Sequence, residues 1–107
     1  MSSRKIVLAY CTFPDRETAA RICEILVREG TIACANVTTP HLAIYAWQGQ
    51  VHKEEESAAW LKTTTTKKAA LKERIRAIHP YQNPCLIFLD ICDGLPDFLK
   101  WVYVQSL

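Results

Sequence analysis

"RAIHPYQNPCLIFLDI", Arg76 to Ile91, decides the order of elements in this chain. Its opening residues close an apolar stripe at helical spacing, Ala70 or Leu71, then Ile75 and Ile78. Pro80 ends that stripe, because its ring removes a backbone N–H and clashes with the preceding turn. The closing residues, Cys85 to Ile91, form a compact apolar run of strand length. A helix therefore hands over to a strand through a connector that carries His79, Tyr81 and Cys85.

Working outward, the helix occupies "KKAALKERIRAIHP", Lys67 to Pro80, and two extended segments precede it. Ile32 to Trp47 has a break at Thr39 and Pro40, "WQGQ" offers a tight turn around Gly49, and Gln50 to Thr64 returns. The first part of the return strand, "VHKEEE", is strongly polar, whereas Ala58 to Leu61 read as buried. Before the hairpin, Asp15 to Gly30 has an N-cap, an acidic first turn at Glu17, and apolar Ala19, Ile22, Cys23, Leu26 and Val27. Gly30 supplies its stop. Lys5 to Thr12 reads as a strand buried on both faces, and Gly94 to Val104 as a final short helix opened by Pro96 and Asp97.

The order β α β β α β, then α, is that of an α+β, ferredoxin-like βαββαβ sandwich with an extra C-terminal helix. Right-handed crossovers place both main helices on one face of an antiparallel sheet. If the first strand runs upward, Cys11, the hairpin tip at Trp47, the helix end at His79 and the strand start at Cys85 all meet at the top. The hairpin between the second and third strands has about 15 residues a side, beyond the ~6 of a usual strand, so its far half outruns the sheet. Ile44, Tyr45 and Trp47 near its tip need cover, and exposed strand edges seek pairing, so a symmetric oligomer is expected.

The totals agree with one domain over residues 1–107: 50% of residues are apolar and 22% charged, the composition of a folded globular chain. A net charge of +2 with scattered basic residues gives no electrostatic footprint for nucleic acid or an anionic membrane. No apolar run approaches the ~20 residues of a membrane span, and a cytoplasmic location is expected. Cys11, Cys23, Cys34, Cys85 and Cys92 are odd in number and form no CxxC pair, which fits neither a zinc site nor a fully paired disulfide framework. Cys23 and Cys34 read as small buried hydrophobes.

Six segments, "YCTFPD", "IACANV", "IYAWQGQV", "LKTT", "IHPYQNP" and "GLPDFLKWV", occur here in register over nearly the whole chain. In order and spacing they resemble the CutA family of divalent-cation tolerance proteins. The resemblance implies a ferredoxin-like protomer, a homotrimer interlocked through long hairpins, a cytoplasmic setting, and tolerance to copper or other divalent ions. Copper ligands in the family include the cysteine ending the first strand and histidines ending the second helix. Cys11 and His79 match these positions, but Ile78 stands where some copper-binding relatives have a second histidine. Cys85 replaces an acidic residue usual after the second proline of the connector.

The donors make chemical sense for copper(II) or another divalent cation, since imidazole and thiolate suit copper better than magnesium or calcium. Two are too few, and a stable site needs Cys85, water or a neighbouring subunit. Against this, His79 also reads as a cation on the helix dipole, and Cys11 as core packing. Tyr45, Trp47, Tyr81 and Cys85 line either a cleft for a small planar ligand or a sealed subunit interface. "KTTTTKK" reads as an anion site or as a strand end with an N-cap threonine and solvated lysines, and "HKEEE" as a cation collector or as solvated charge.

No catalytic motif stands out: Ser2, Ser3, Ser57 and Ser106 occupy no nucleophile elbow, and His41, His52 and His79 have no HExxH-type spacing. An enzyme is not expected. The leading expectation is a trimeric divalent-cation tolerance protein that binds metal near Cys11 and His79. The alternative, drawn from a likeness in architecture, is a PII-like signalling or scaffold trimer with a metabolite or protein partner in its intersubunit clefts.

Overall fold

The computed structural model describes residues 5–107, so Ser2 and Ser3 lie outside it. Its elements are β1 (Ile6–Phe13), α1 (Arg16–Arg28), β2 (Cys34–Val37), β3 (His41–Trp47), β4 (Gln50–Thr64), α2 (Lys68–Ile78), β5 (Leu86–Asp90) and α3 (Pro96–Gln105). The sheet runs β2-β4-β1-β5, with every pair antiparallel, and β3 joins the same edge of β4 as β2. This is the expected ferredoxin-like order with its extra helix.

The second strand is split in two. Pro40 has no N–H to give a ladder, and the chain leaves β4 between Val37 and His41. Thr38 bridges the gap: its N–H donates to the Ala58 carbonyl at 2.8 Å, and its hydroxyl accepts from the Ala58 N–H at 2.9 Å. A side chain thus replaces a missing backbone partner, and β4 continues unbroken for 15 residues.

Pairing with β1 ends at Phe13 opposite Ser57, so the remaining part of β4 projects past the sheet with β3 as a two-stranded ribbon. Gln48 and Gly49 turn its tip with φ of 51° and 77°, the left-handed pair that a two-residue hairpin requires. Strand alternation then sorts the side chains. His41, Ala43, Tyr45 and Trp47 share one face with His52, Glu54 and Glu56, and Leu42, Ile44 and Val51 share the other.

Both main helices pack on one side of the sheet. Asp15 caps α1 by accepting from the Thr18 N–H at 2.7 Å. At its other end the Gly30 and Thr31 amides donate to the Val27 and Leu26 carbonyls, each at 3.0 Å, and Gly30 takes the positive φ that this closure needs. Ala19, Ile22, Cys23 and Leu26 of α1 meet Leu71 and Ile75 of α2 over Ala9, Cys11, Phe13, Ala59 and Leu61 of the sheet. α3 lies elsewhere, with Val102 buried against Ile6 and Ala33. Trp60, Ile87 and Leu89, on the opposite side of the sheet, stay 37%, 54% and 46% exposed. Thr64 ends β4 and makes no capping hydrogen bond, so the expected N-cap threonine is absent there.

Candidate functional site

The connector folds back because of Pro80. A residue before proline is pushed out of the α region, and His79, the last to bond the helix (its N–H donates to the Ile75 carbonyl at 2.9 Å), is extended with φ −77° and ψ 137°. That turn carries the His79 ring over the end of β1, where it stacks on Phe13 with ring centroids 4.9 Å apart. The ring is buried and both its nitrogens are engaged. Nδ1 accepts from the Tyr81 N–H at 3.1 Å, which leaves the proton on Nε2 to be donated to the Thr12 carbonyl at 2.7 Å.

His79 therefore latches the connector to β1 as a neutral imidazole. Burial pushes its pKa below the ordinary value, against an opposing pull from the Thr12 carbonyl and Glu56. The helix-dipole reading needs a cation, and this environment disfavours one. Cys11 Sγ lies against the same Thr12 carbonyl at 3.8 Å, so the two expected donors do converge. The thiol is fully buried, however, and burial, followed by nearby Cys85, pushes its pKa far above the ordinary thiol value. In this arrangement Cys11 is protonated and His79 has no free lone pair. No group of three or more His, Cys, Asp or Glu side chains is placed to hold a metal ion among the described residues.

Above this latch, where the ribbon leaves the sheet, lies a cavity of about 480 Å³. Tyr45, Trp47, Tyr81 and Cys85, the four residues expected in a cleft or a subunit interface, all line it, together with Thr12, Ala43, Glu56, Gln82 and Asn83. The Tyr81 hydroxyl donates to Glu56 at 2.7 Å, and the Tyr45 hydroxyl bonds Glu54. Burial first, and Glu56 next, hold the Tyr81 phenol well above its usual pKa. His41 Nε2 stands 4.0 Å from the other Glu56 oxygen.

Glu56 is the residue that sequence reasoning passed over, as one of a solvated "HKEEE" run. Counting by twos from the Gln48-Gly49 turn puts Glu54 and Glu56 on the face of Tyr45, the signal that would have found it. Cys23 is buried on α1 as expected, and Cys34 is half-buried on β2.

Residues 7–105 match the sequence profile of the family described as CutA1 divalent ion tolerance protein. This chain belongs to the CutA family. The divalent-cation tolerance protein CutA of Pyrococcus horikoshii is 41% identical over 101 residues, covering 94% of this chain and 98% of that protein. Among solved structures, divalent ion tolerance protein CutA1 of Ehrlichia chaffeensis superposes with a TM-score of 0.90 at 36% identity, covering 95% of each chain. The periplasmic divalent cation tolerance protein CutA of Archaeoglobus fulgidus superposes with a TM-score of 0.92 at 30% identity, covering 95% of this chain and 99% of that one. These likenesses favour CutA-type tolerance over the PII-like alternative. No helix is long and apolar enough to cross a membrane among the described residues.

Proposed function

We propose that this chain is a homotrimeric, cytoplasmic, non-enzymatic divalent-cation tolerance protein that takes up copper or another divalent ion weakly where Cys11 and His79 meet. The observation that carries the reading is their convergence on the Thr12 carbonyl, in a chain whose family match spans residues 7–105. On this reading water or a neighbouring subunit supplies the remaining donors, since no third His, Cys, Asp or Glu side chain joins the pair among the described residues. The apolar sheet side at Trp60, Ile87 and Leu89, together with the projecting ribbon, supports the trimer.

The ion is cargo on this reading, and its uptake has a cost. Ligation at His79 Nε2 displaces the proton now given to Thr12 and breaks the latch, and ligation at Cys11 releases a thiol proton. Uptake is therefore weak and strengthens as pH rises. Native mass spectrometry of the reduced, metal-free protein during copper addition tests this. The reading expects a trimer that takes up a fixed number of ions per subunit and loses that uptake in His79→Ala and Cys11→Ser. A trimer that stays bare, or uptake unchanged in both variants, removes Cys11 and His79 as ligands.

A further inference from the structure

The cavity above the latch is built for a different kind of guest from a soft metal ion. Its volume of about 480 Å³ suits a small organic molecule. Three aromatic rings, Tyr45, Trp47 and Tyr81, stand on its walls, and the carboxylate of Glu56 is the only formally charged group among the residues that line it.

Two of the rings are held in place before any ligand arrives. Tyr45 stacks on His52 with centroids 5.3 Å apart and planes at 15°, and Tyr81 leans on His79 at 4.9 Å. The Glu56 side chain is only 12% exposed, and among the described residues no lysine or arginine forms an ion pair with it or with Glu54. The Tyr81 hydroxyl stabilises the Glu56 charge without cancelling it. Both phenols at this wall are bonded to carboxylates, Tyr81 to Glu56 and Tyr45 to Glu54, and the nearest nitrogen base is His41, 4.0 Å from Glu56.

We propose that this cavity binds a small, weakly hydrated organic cation, a quaternary or tertiary ammonium, with Tyr45, Trp47 and Tyr81 as an aromatic cage and Glu56 as the counter-charge. The choice follows from matching charge and hydration. An anion meets the Glu56 carboxylate. A neutral planar ligand adds no charge to balance the Glu56 carboxylate, whose partners are the Tyr81 hydroxyl and, at 4.0 Å, His41. A hard divalent ion wants several oxygen ligands or its own water, and an apolar aromatic wall supplies neither. An alkylammonium gives up little hydration, gains cation–π attraction from the ring faces, and neutralises Glu56.

The test is calorimetric titration of the full-length native oligomer with tetramethylammonium chloride, against tert-butanol as a neutral guest of similar shape and sodium chloride at matched ionic strength. The expected result is saturable tetramethylammonium binding that is roughly tenfold tighter than tert-butanol. Glu56→Gln and Trp47→Leu should each weaken it by about the same factor, with oligomer mass and circular dichroism unchanged in Glu56→Gln. Three titration outcomes with the organic guests overturn the proposal. They are equal binding of cation and neutral guest, cation binding intact in Glu56→Gln, and no saturable binding, as when a neighbouring protomer seals the mouth. Copper chloride uptake that is lost in Glu56→Gln but kept in Cys11→Ser would also overturn it, by assigning the cavity to a metal ion.

Discussion

The two sides of the sheet are made from the same strands and meet different fates. Toward the helices, Val7, Ala9, Cys11 and Phe13 of β1 are sealed, with Ala59 and Leu61 of β4 beside them. On the other side Tyr10 packs on Trp60 at 4.8 Å, yet Trp60, Ile87 and Leu89 remain open to water. Two helices cover one side, and α3 reaches only the Ile6 end of the other. A protomer of this size therefore completes one core and leaves a second apolar surface, the one the proposed trimer would cover.

That contrast can be broken most severely at the closed side. Leu61→Ala leaves a cavity in a packed core and should cost about 2–5 kcal/mol, read by urea unfolding at fixed protomer concentration. A cost below ~1 kcal/mol would mean that the core yields far more than close packing allows. At the open side, Trp60→Asp should leave the fold intact by circular dichroism and weaken protomer association by ~2 kcal/mol or more. Sedimentation velocity reads this as the proposed trimer giving way to monomer on dilution. An unchanged trimer would place the interface elsewhere.

Between the two sides stands the latch. His79→Ala removes two hydrogen bonds and a ring stack, a loss of about 1–3 kcal/mol. Its pH signature separates this from a simple packing defect. The unfolded chain protonates this imidazole near ~6.5, while burial delays protonation in the folded chain. Between those two values the unfolded state binds more protons, so the latch loses stability as pH falls. The stability gap between wild type and His79→Ala should therefore narrow on acidification below about 6.5. A gap that stays constant there would argue against a neutral, tautomer-locked ring.

The smallest effect runs the other way. Ser57 is fully buried, and its hydroxyl has no hydrogen-bond partner among the described residues. Ser57→Ala should raise stability by about 1 kcal/mol in the same urea assay. A loss of that size would show that the hydroxyl is satisfied in the assembled protein.

The element order was legible because punctuation and periodicity agreed at each boundary: Asp15 and Gly30 around α1, Pro80 after α2, Gly49 at the hairpin. The meeting of Cys11, Trp47, His79 and Cys85 at one end followed from strand directions alone. The state of those groups did not. That His79 is tied at both nitrogens depends on the backbone of Tyr81 and Thr12, which no residue type announces. Glu56 was hidden because three glutamates in a row look alike until the register separates them. The split at Pro40 was signalled, but the Thr38 hydroxyl that keeps the edge continuous was not.

Gln48 and Gly49, at the far tip of the ribbon, govern more than a reversal of direction. By fixing which residue of β3 stands opposite which of β4, they index the whole arm. One step of slippage would send Tyr45 and Trp47 to the side of Leu42 and Ile44 and part them from Glu54 and Glu56. The backbone twist of two residues thus works as the setting of a dial. The cavity wall, and any grip that one arm takes on another, are read off that setting.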